Sequence, residues 1–188
     1  MNLAAKQILR QQFRHQRQQL ELEQWQSKSA LICRAIAEYL GFKDAQTVLA
    51  YVSHDREPDL SWLWLNFPHK VWGLPRCLAE RQLSWHRVNP RQLPAGLVKN
   101  KFGIYQPNPE LPLLDLGQVD LILVPTLACD RDRYRLGYGG GYYDYFLSAQ
   151  PAIKLGVVFA DALVEQLPID PWDIPLDLIC TEDGIQPK

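Results

Sequence analysis

The N-terminal forty residues are polar helix formers in which apolar side chains return at helical intervals. Leu9, Phe13 and Leu20 form one stripe at about 100° per residue, and no Pro or Gly interrupts residues 2–20, so the pattern predicts a helix there. A second helix is predicted over 22–40, closed by Gly41 as its cap. Beyond it the pattern shortens into apolar runs of strand length. These are "TVLAYVS" (47–53), "KVWGLP" (70–75), the alternating "QLSWHRV" (82–88), "VDLILVP" (119–125), "IKLGVVF" (153–159) and "LDLICTEDGI" (176–185). The run at 119–125 is apolar throughout, which suits a strand covered on both faces.

Helical stretches separate several of these runs. "EPDLSWLWLNF" reads as a short helix with Asp59 as its N-cap, and another runs from Tyr142 to Ser148. Residues 89–118 are rich in Pro, Gly and Asn and read as loop, with one extended piece near "KFGIYQP" (101–107). Strands alternating with helices predict an α/β fold with a largely parallel central sheet flanked by helices, the two N-terminal helices packed on it. No linker composition appears, so residues 1–188 are taken as a single domain.

Composition narrows the function classes. The chain of 188 residues is 47% hydrophobic and 22% charged, an ordinary globular balance. Its formal net charge of -1 gives no overall attraction to nucleic acid. Cys33, Cys77, Cys129 and Cys180 are scattered with no C-x-x-C pair, so reduced, mostly buried thiols are expected rather than a zinc site or disulfide framework. His15, His54, His69 and His86 show no ligand spacing either. No apolar run approaches the ~20 residues of a membrane span, and the Arg-rich N-terminus lacks a signal peptide's apolar core. The expected location is cytoplasmic and the expected state monomeric, with no membrane or nucleic-acid partner.

Chemistry concentrates in "RLGYGGGYYD" (135–144). Gly137, Gly139, Gly140 and Gly141 follow an apolar strand and precede a helix, at the carboxyl end where open α/β sheets bind ligands. Backbone N–H groups freed by glycine can cradle an anion, helped by the helix N-terminus. The spacing excludes a Walker A loop, which needs G-K-[ST], and a G-x-G-x-x-G fingerprint, which would need glycine where Tyr142 stands. The glycines alone fit a mobile surface loop equally well. The flanks favour a phosphate: Arg135 can make charge-assisted bonds to it, and Asp144 stands where a metal held against it would lie. Asp144 could equally serve the helix dipole, and Tyr142 and Tyr143 could be packing residues.

This stretch resembles the signature of the 5-formyltetrahydrofolate cyclo-ligase (5,10-methenyltetrahydrofolate synthetase) family, in which an apolar strand ending in Val-Pro leads through an acidic residue into R-L-G-Y-G-G-G-Y-Y-D. Val124-Pro125, Asp130 and Arg135 to Asp144 match it. The resemblance extends over nearly the whole chain: Lys6 and Arg10 on the first helix, Glu57 after the first strand, Leu74-Pro75-Arg76, Gly103 to Pro107, Leu167-Pro168, Asp173, Leu176-Asp177 and Thr181-Glu182. Thr126, Cys129, Arg133 and Gln106 depart from the family's usual residues.

The resemblance implies an enzyme that uses ATP and Mg²⁺ to cyclise 5-formyltetrahydrofolate to 5,10-methenyltetrahydrofolate. It implies ATP contacts from Lys6, Arg10 and the run Arg135, Leu136, Gly137, Tyr138, Gly139, Gly140, Gly141, Tyr142 and Tyr143. Val52 and Glu57 would contact the folate, with Tyr138 to Tyr142 bordering the reacting formyl group. Arg135 and Tyr142 would be catalytic, and Asp144 and Asp177 would bind Mg²⁺. Without the resemblance, Lys6 and Arg10 read as a solvated basic face with Arg14 and Arg17, Glu57 as an exposed loop residue, and Asp177 as a turn residue. Trp62, Trp64, Trp72 and Trp85 read as core and boundary packing rather than pterin-stacking platforms. Three rivals remain: a nucleic-acid binder using the basic helix, a folate or nucleotide binder without turnover, and a relative of sugar-phosphate isomerases or CoA-transferases.

Overall fold

The computed structural model describes residues 2–100 and 103–186. In chain order the helices are α1 (Asn2–Gln18), α2 (Leu22–Glu38), α3 (Leu40–Asp44), α4 (Ser61–Asn66) and α5 (Tyr142–Leu147). The strands are β1 (Thr47–Leu49), β2 (Val71–Cys77), β3 (Leu83–Val88), β4 (Leu97–Lys99), β5 (Tyr105–Pro107), β6 (Leu121–Pro125), β7 (Ala128–Asp130), β8 (Arg135–Leu136), β9 (Ile153–Val157), β10 (Leu163–Val164), β11 (Leu178–Thr181) and β12 (Gly184–Gln186). Seven strands form one sheet in the order β12-β11-β9-β6-β1-β2-β3. The five inner strands pair in parallel, and β12 and β3 close the edges antiparallel.

Strand alternation sorts the core. Leu121 and Leu123 of β6 face a cluster with Ile32 and Ile36 of α2, and Ile122 and Val124 face another with Phe13, Phe146 and Leu147. Each successive side chain of a strand changes face, so a wholly apolar run requires cover on both sides. α2 covers one face, while α1 and α5 cover the other. The largely parallel sheet and the two packed N-terminal helices are as the sequence predicts.

Boundaries differ where local geometry intervenes. Tyr39 is extended, at φ −65° and ψ 127°, so α2 stops there and Gly41 lies inside α3 rather than capping α2. Asp59 stands two residues before α4 and accepts from Ser61 N at 2.9 Å, a capping contact made from outside the helix. The run at 176–185 is a hairpin of β11 and β12, because Gly184 turns the chain at φ 118°. The extended piece near 101–107 is β5, paired with β4; residues 101 and 102 lie outside the described residues.

Trp72, Trp85 and Trp64 are buried and Trp62 is exposed. Cys33, Cys129 and Cys180 are buried free thiols as expected, whereas Cys77 is exposed at the end of β2. Among the described residues, no helix is long and apolar enough to cross a membrane.

Candidate active site

After β6 the chain turns through the β7–β8 hairpin, and β10 lies parallel to β7. Asp130 fixes this unit. Its buried carboxylate accepts from Tyr134 N at 2.9 Å and from Leu167 N at 3.0 Å. Arg133 at the hairpin tip has φ 65°, a conformation glycine adopts without cost, and its Nε donates to Leu176 O at 3.1 Å. The arginine therefore keeps the turn and adds a tether across to the segment before β11.

β8 carries Arg135 into the interior. Its Nη2 donates to Asp144 Oδ1 at 2.8 Å, its guanidinium lies 5.7 Å from the centre of the Tyr143 ring, and its buried Nε has no partner. Leu136 is core. Gly139 and Gly141 hold φ values of 90° and 73°, which a side chain would strain. A Cβ on Gly139 would also lie 3.0 Å from Arg10 Cζ. Arg10 thus sits under the loop, with its Nε on Gly137 O at 2.8 Å. Tyr142 OH donates to Leu78 O at 3.3 Å, and Tyr143 OH is buried without a partner.

Tyr138 joins this loop to the first strand's exit. Its OH donates to Glu57 Oε1 at 2.8 Å and accepts from Arg17 Nη2 at 2.5 Å. Glu57 is 4% exposed, and its other oxygen accepts from His54 N at 3.0 Å. Burial pushes the Glu57 carboxyl above its ordinary value, with Arg17 the strongest opposing influence and the Tyr138 and His54 hydrogen bonds adding to it. Val52, five residues earlier, lines a cavity of about 520 Å³ between α2, α4 and the 90–105 loop.

The structure thus links Arg10 to the glycine loop, Arg135 to Asp144 and Tyr138 to Glu57 by direct hydrogen bonds. Two expected residues are engaged elsewhere. Lys6 bonds Asp170 at 2.7 Å and Asp173 at 2.5 Å and is 6% exposed. Burial lowers its pKa, but the hydrogen bonds and charges of the two aspartates prevail and raise it. Asp177 Oδ2 accepts from Lys154 N at 2.8 Å, with Lys154 Nζ at 3.9 Å, and no contact joins it to Asp144. Among the described residues no cluster of three or more His, Cys, Asp or Glu could hold a metal by itself.

Sequence reasoning placed Arg17 only at the end of a basic row. It is 6% exposed, with Nε and Nη1 unpartnered, and Asp55 lies 3.5 Å from Nη2. The available signal was the i, i+7 spacing from Arg10, which returns a residue to the same helix face.

The family model described as the 5-formyltetrahydrofolate cyclo-ligase family matches residues 2–182. A protein of that name from Mycolicibacterium smegmatis is 41% identical over 102 residues, 53% of this chain and 50% of that protein. The Escherichia coli K12 protein of the same name is 29% identical over 180 residues, covering 92% of this chain and 97% of its own. In three dimensions the chain is similar to the 5,10-methenyltetrahydrofolate synthetase of Aquifex aeolicus, with TM-score 0.84 and 33% identity over 97% of this chain and 92% of that one. From its glycine loop to its basic first helix, the chain belongs to the 5-formyltetrahydrofolate cyclo-ligase family.

Proposed function

We propose that the protein is an ATP- and Mg²⁺-dependent ligase that converts 5-formyltetrahydrofolate to 5,10-methenyltetrahydrofolate, releasing ADP and phosphate. The observation that carries this reading is the Tyr138 phenol, which ties the glycine loop to the buried Glu57 carboxylate at 2.8 Å. A phosphate cradle and an acceptor for the pterin's N–H groups then border one cleft, as direct transfer between two bound substrates requires.

In this reading the loop N–H groups, Arg10 and Arg135 hold the nucleotide phosphates. The partnerless Arg135 Nε is a donor available to a transferring phosphoryl group. Glu57 and Val52 orient the folate so that the formyl oxygen faces the γ-phosphoryl group and Tyr142 covers it. Phosphorylation of that oxygen makes the formyl carbon electrophilic; N10 attacks it, and phosphate leaves with the former formyl oxygen. Lys6 would reach phosphate only in competition with its two aspartates.

Asp144 suits Mg²⁺, which takes one or two protein carboxylates and fills its remaining positions with phosphate oxygens and water. Its Oδ2 has no bond among the described residues, and Asp177 Oδ1 is the oxygen a second protein ligand would offer. The ion, when bound, neutralises charge on the transferring phosphoryl group. The protein works in this reading as a cytoplasmic monomer on a free or polyglutamylated folate.

The test is to mix the purified protein with 5-formyltetrahydrofolate and MgATP and follow the ultraviolet absorbance of the methenyl product. Controls omit ATP, omit Mg²⁺, or carry Asp144→Ala. Product that needs both additions and collapses in the variant supports the reading; no product from folded protein overturns it.

A further inference from the structure

The 520 Å³ cavity beside Val52 is large enough for a substrate arm, and its wall is mostly apolar. Arg56 is the single cation of the wall among the described residues. Its guanidinium lies 5.9 Å from the centre of the Trp25 ring, its Nη1 is buried without a partner, and no ion pair engages it among the described residues. The two carboxylates of the same wall are taken: Asp55 by Arg14, Arg17 and Gln18, and Asp59 by Ser61 N and Oγ at 2.9 and 3.0 Å. Trp64, 7% exposed in the same wall, leaves its Nε1 donor unpartnered as well. An unneutralised arginine and a second orphaned donor around an apolar hollow call for a ligand with an aromatic body and a carboxylate.

The position is also costly to maintain. Arg56 sits at φ 60°, where a long side chain is disfavoured and glycine or asparagine would be easier. The backbone of the next residue is fixed by its own contacts: Glu57 O accepts from Trp25 Nε1 at 2.8 Å and from Ser53 Oγ at 2.7 Å. The same short turn thus gives Glu57 to the cleft and Arg56 to the cavity.

We infer that Arg56 anchors the glutamate carboxylate of the substrate, with the cavity taking the p-aminobenzoyl arm, so that Arg56 selects for the glutamylated form. The inference rests on the folate reading above.

The experiment compares 5-formyltetrahydrofolate with 5-formyltetrahydropteroate, which lacks the glutamate, in wild type, Arg56→Gln and Arg56→Lys. Arg56→Gln raises KM for the folate about tenfold, the scale of one charge-assisted hydrogen bond, and leaves KM for the pteroate unchanged. Arg56→Lys, which keeps the charge but loses the planar fork, falls between them. In all three proteins kcat stays within about twofold, the signature of binding felt equally before and during reaction. An equal rise for both substrates, or no rise for either, overturns the inference. If wild type forms product from neither substrate, the ligase reading fails by itself. The anchor is then read by calorimetric titration with p-aminobenzoylglutamate against p-aminobenzoate. A preference for the glutamylated compound that vanishes in Arg56→Gln upholds it, and equal binding in wild type overturns it.

Discussion

Replacing Arg17 with methionine tests how the buried Glu57 carboxylate is held. Two hydrogen bonds to one phenol, of 2.5 and 2.8 Å, put Arg17 Nη2 within 5.3 Å of Glu57 Oε1. At an effective dielectric constant of about 20, opposite unit charges at that separation attract by about 3 kcal/mol. Glu57 is already raised above its ordinary value by burial, so losing Arg17 raises it further. An acid raised on folding stabilises the protein fully below its unfolded pKa and loses that stability as pH rises through its folded pKa. The destabilisation caused by Arg17→Met therefore grows as pH rises above the ordinary carboxylate range, towards about 3 kcal/mol where Glu57 is ionised in both proteins. Relief of burying Arg17, with its two partnerless nitrogens, offsets a constant part of this. Asp55 also loses a cation. Burial raises its pKa, but Gln18, Arg14 and Arg17 together keep it low, so it stays ionised through this window and adds no slope. Urea denaturation at pH 5, 6, 7 and 8 measures the difference, and Glu57→Gln with Arg17→Met should abolish its pH dependence. A difference that is flat with pH, or larger at pH 5, would refute the coupling.

Three further outcomes follow from the same contacts. Gly139→Ala strains a residue at φ 90° and presses on Arg10; ATP affinity, read by calorimetry, should fall about tenfold or more while the melting temperature drops only a few degrees. Lys6→Met removes the cation that bonds both Asp170 and Asp173 and should cost about 3 kcal/mol in denaturant titration. A cost near zero would mean that Lys6 serves ligands rather than the fold. Gly156→Ala places a Cβ 2.3 Å from Leu176 Cδ1, so that buried side chain must move aside; a loss of about 1–3 kcal/mol is expected, and an unchanged melting temperature would contradict the packing described.

The sheet was readable because its inner strands are apolar on both faces, a pattern that leaves few alternatives for β6 or β9. β7, β8 and β10 were missed because strands of two or three residues carry no period to detect. The glycine loop could be read from composition and place, but its partners could not. Nothing local in "SHDREPD" indicates that Glu57 is buried, since that depends on Tyr138, 81 residues later, closing over it. The same holds for Lys6, whose two carboxylates lie 164 and 167 positions away and convert an apparent surface cation into an internal one. Charged residues report chemistry in a sequence, whereas their burial is decided by distant segments.

The attachment of α1 bears on when this protein becomes competent during its own synthesis. Among the described residues of α1, Lys6 and Arg17 accompany a single buried apolar side chain, Phe13. Arg14, Arg17 and Gln18 meet Asp55 nearby in the chain, but the bonds of Lys6 and Arg10 and the Arg17 bond to Tyr138 reach Gly137, Tyr138, Asp170 and Asp173, between 121 and 167 residues downstream. The deeper attachment of α1 thus waits for segments made more than 120 residues after it, with little apolar surface of its own to dock before they arrive. The nascent chain can assemble β1, β2 and β3 long before Tyr138 closes over Glu57. The pairing of Glu57 with the glycine loop then comes late, in a step that joins segments made far apart in time.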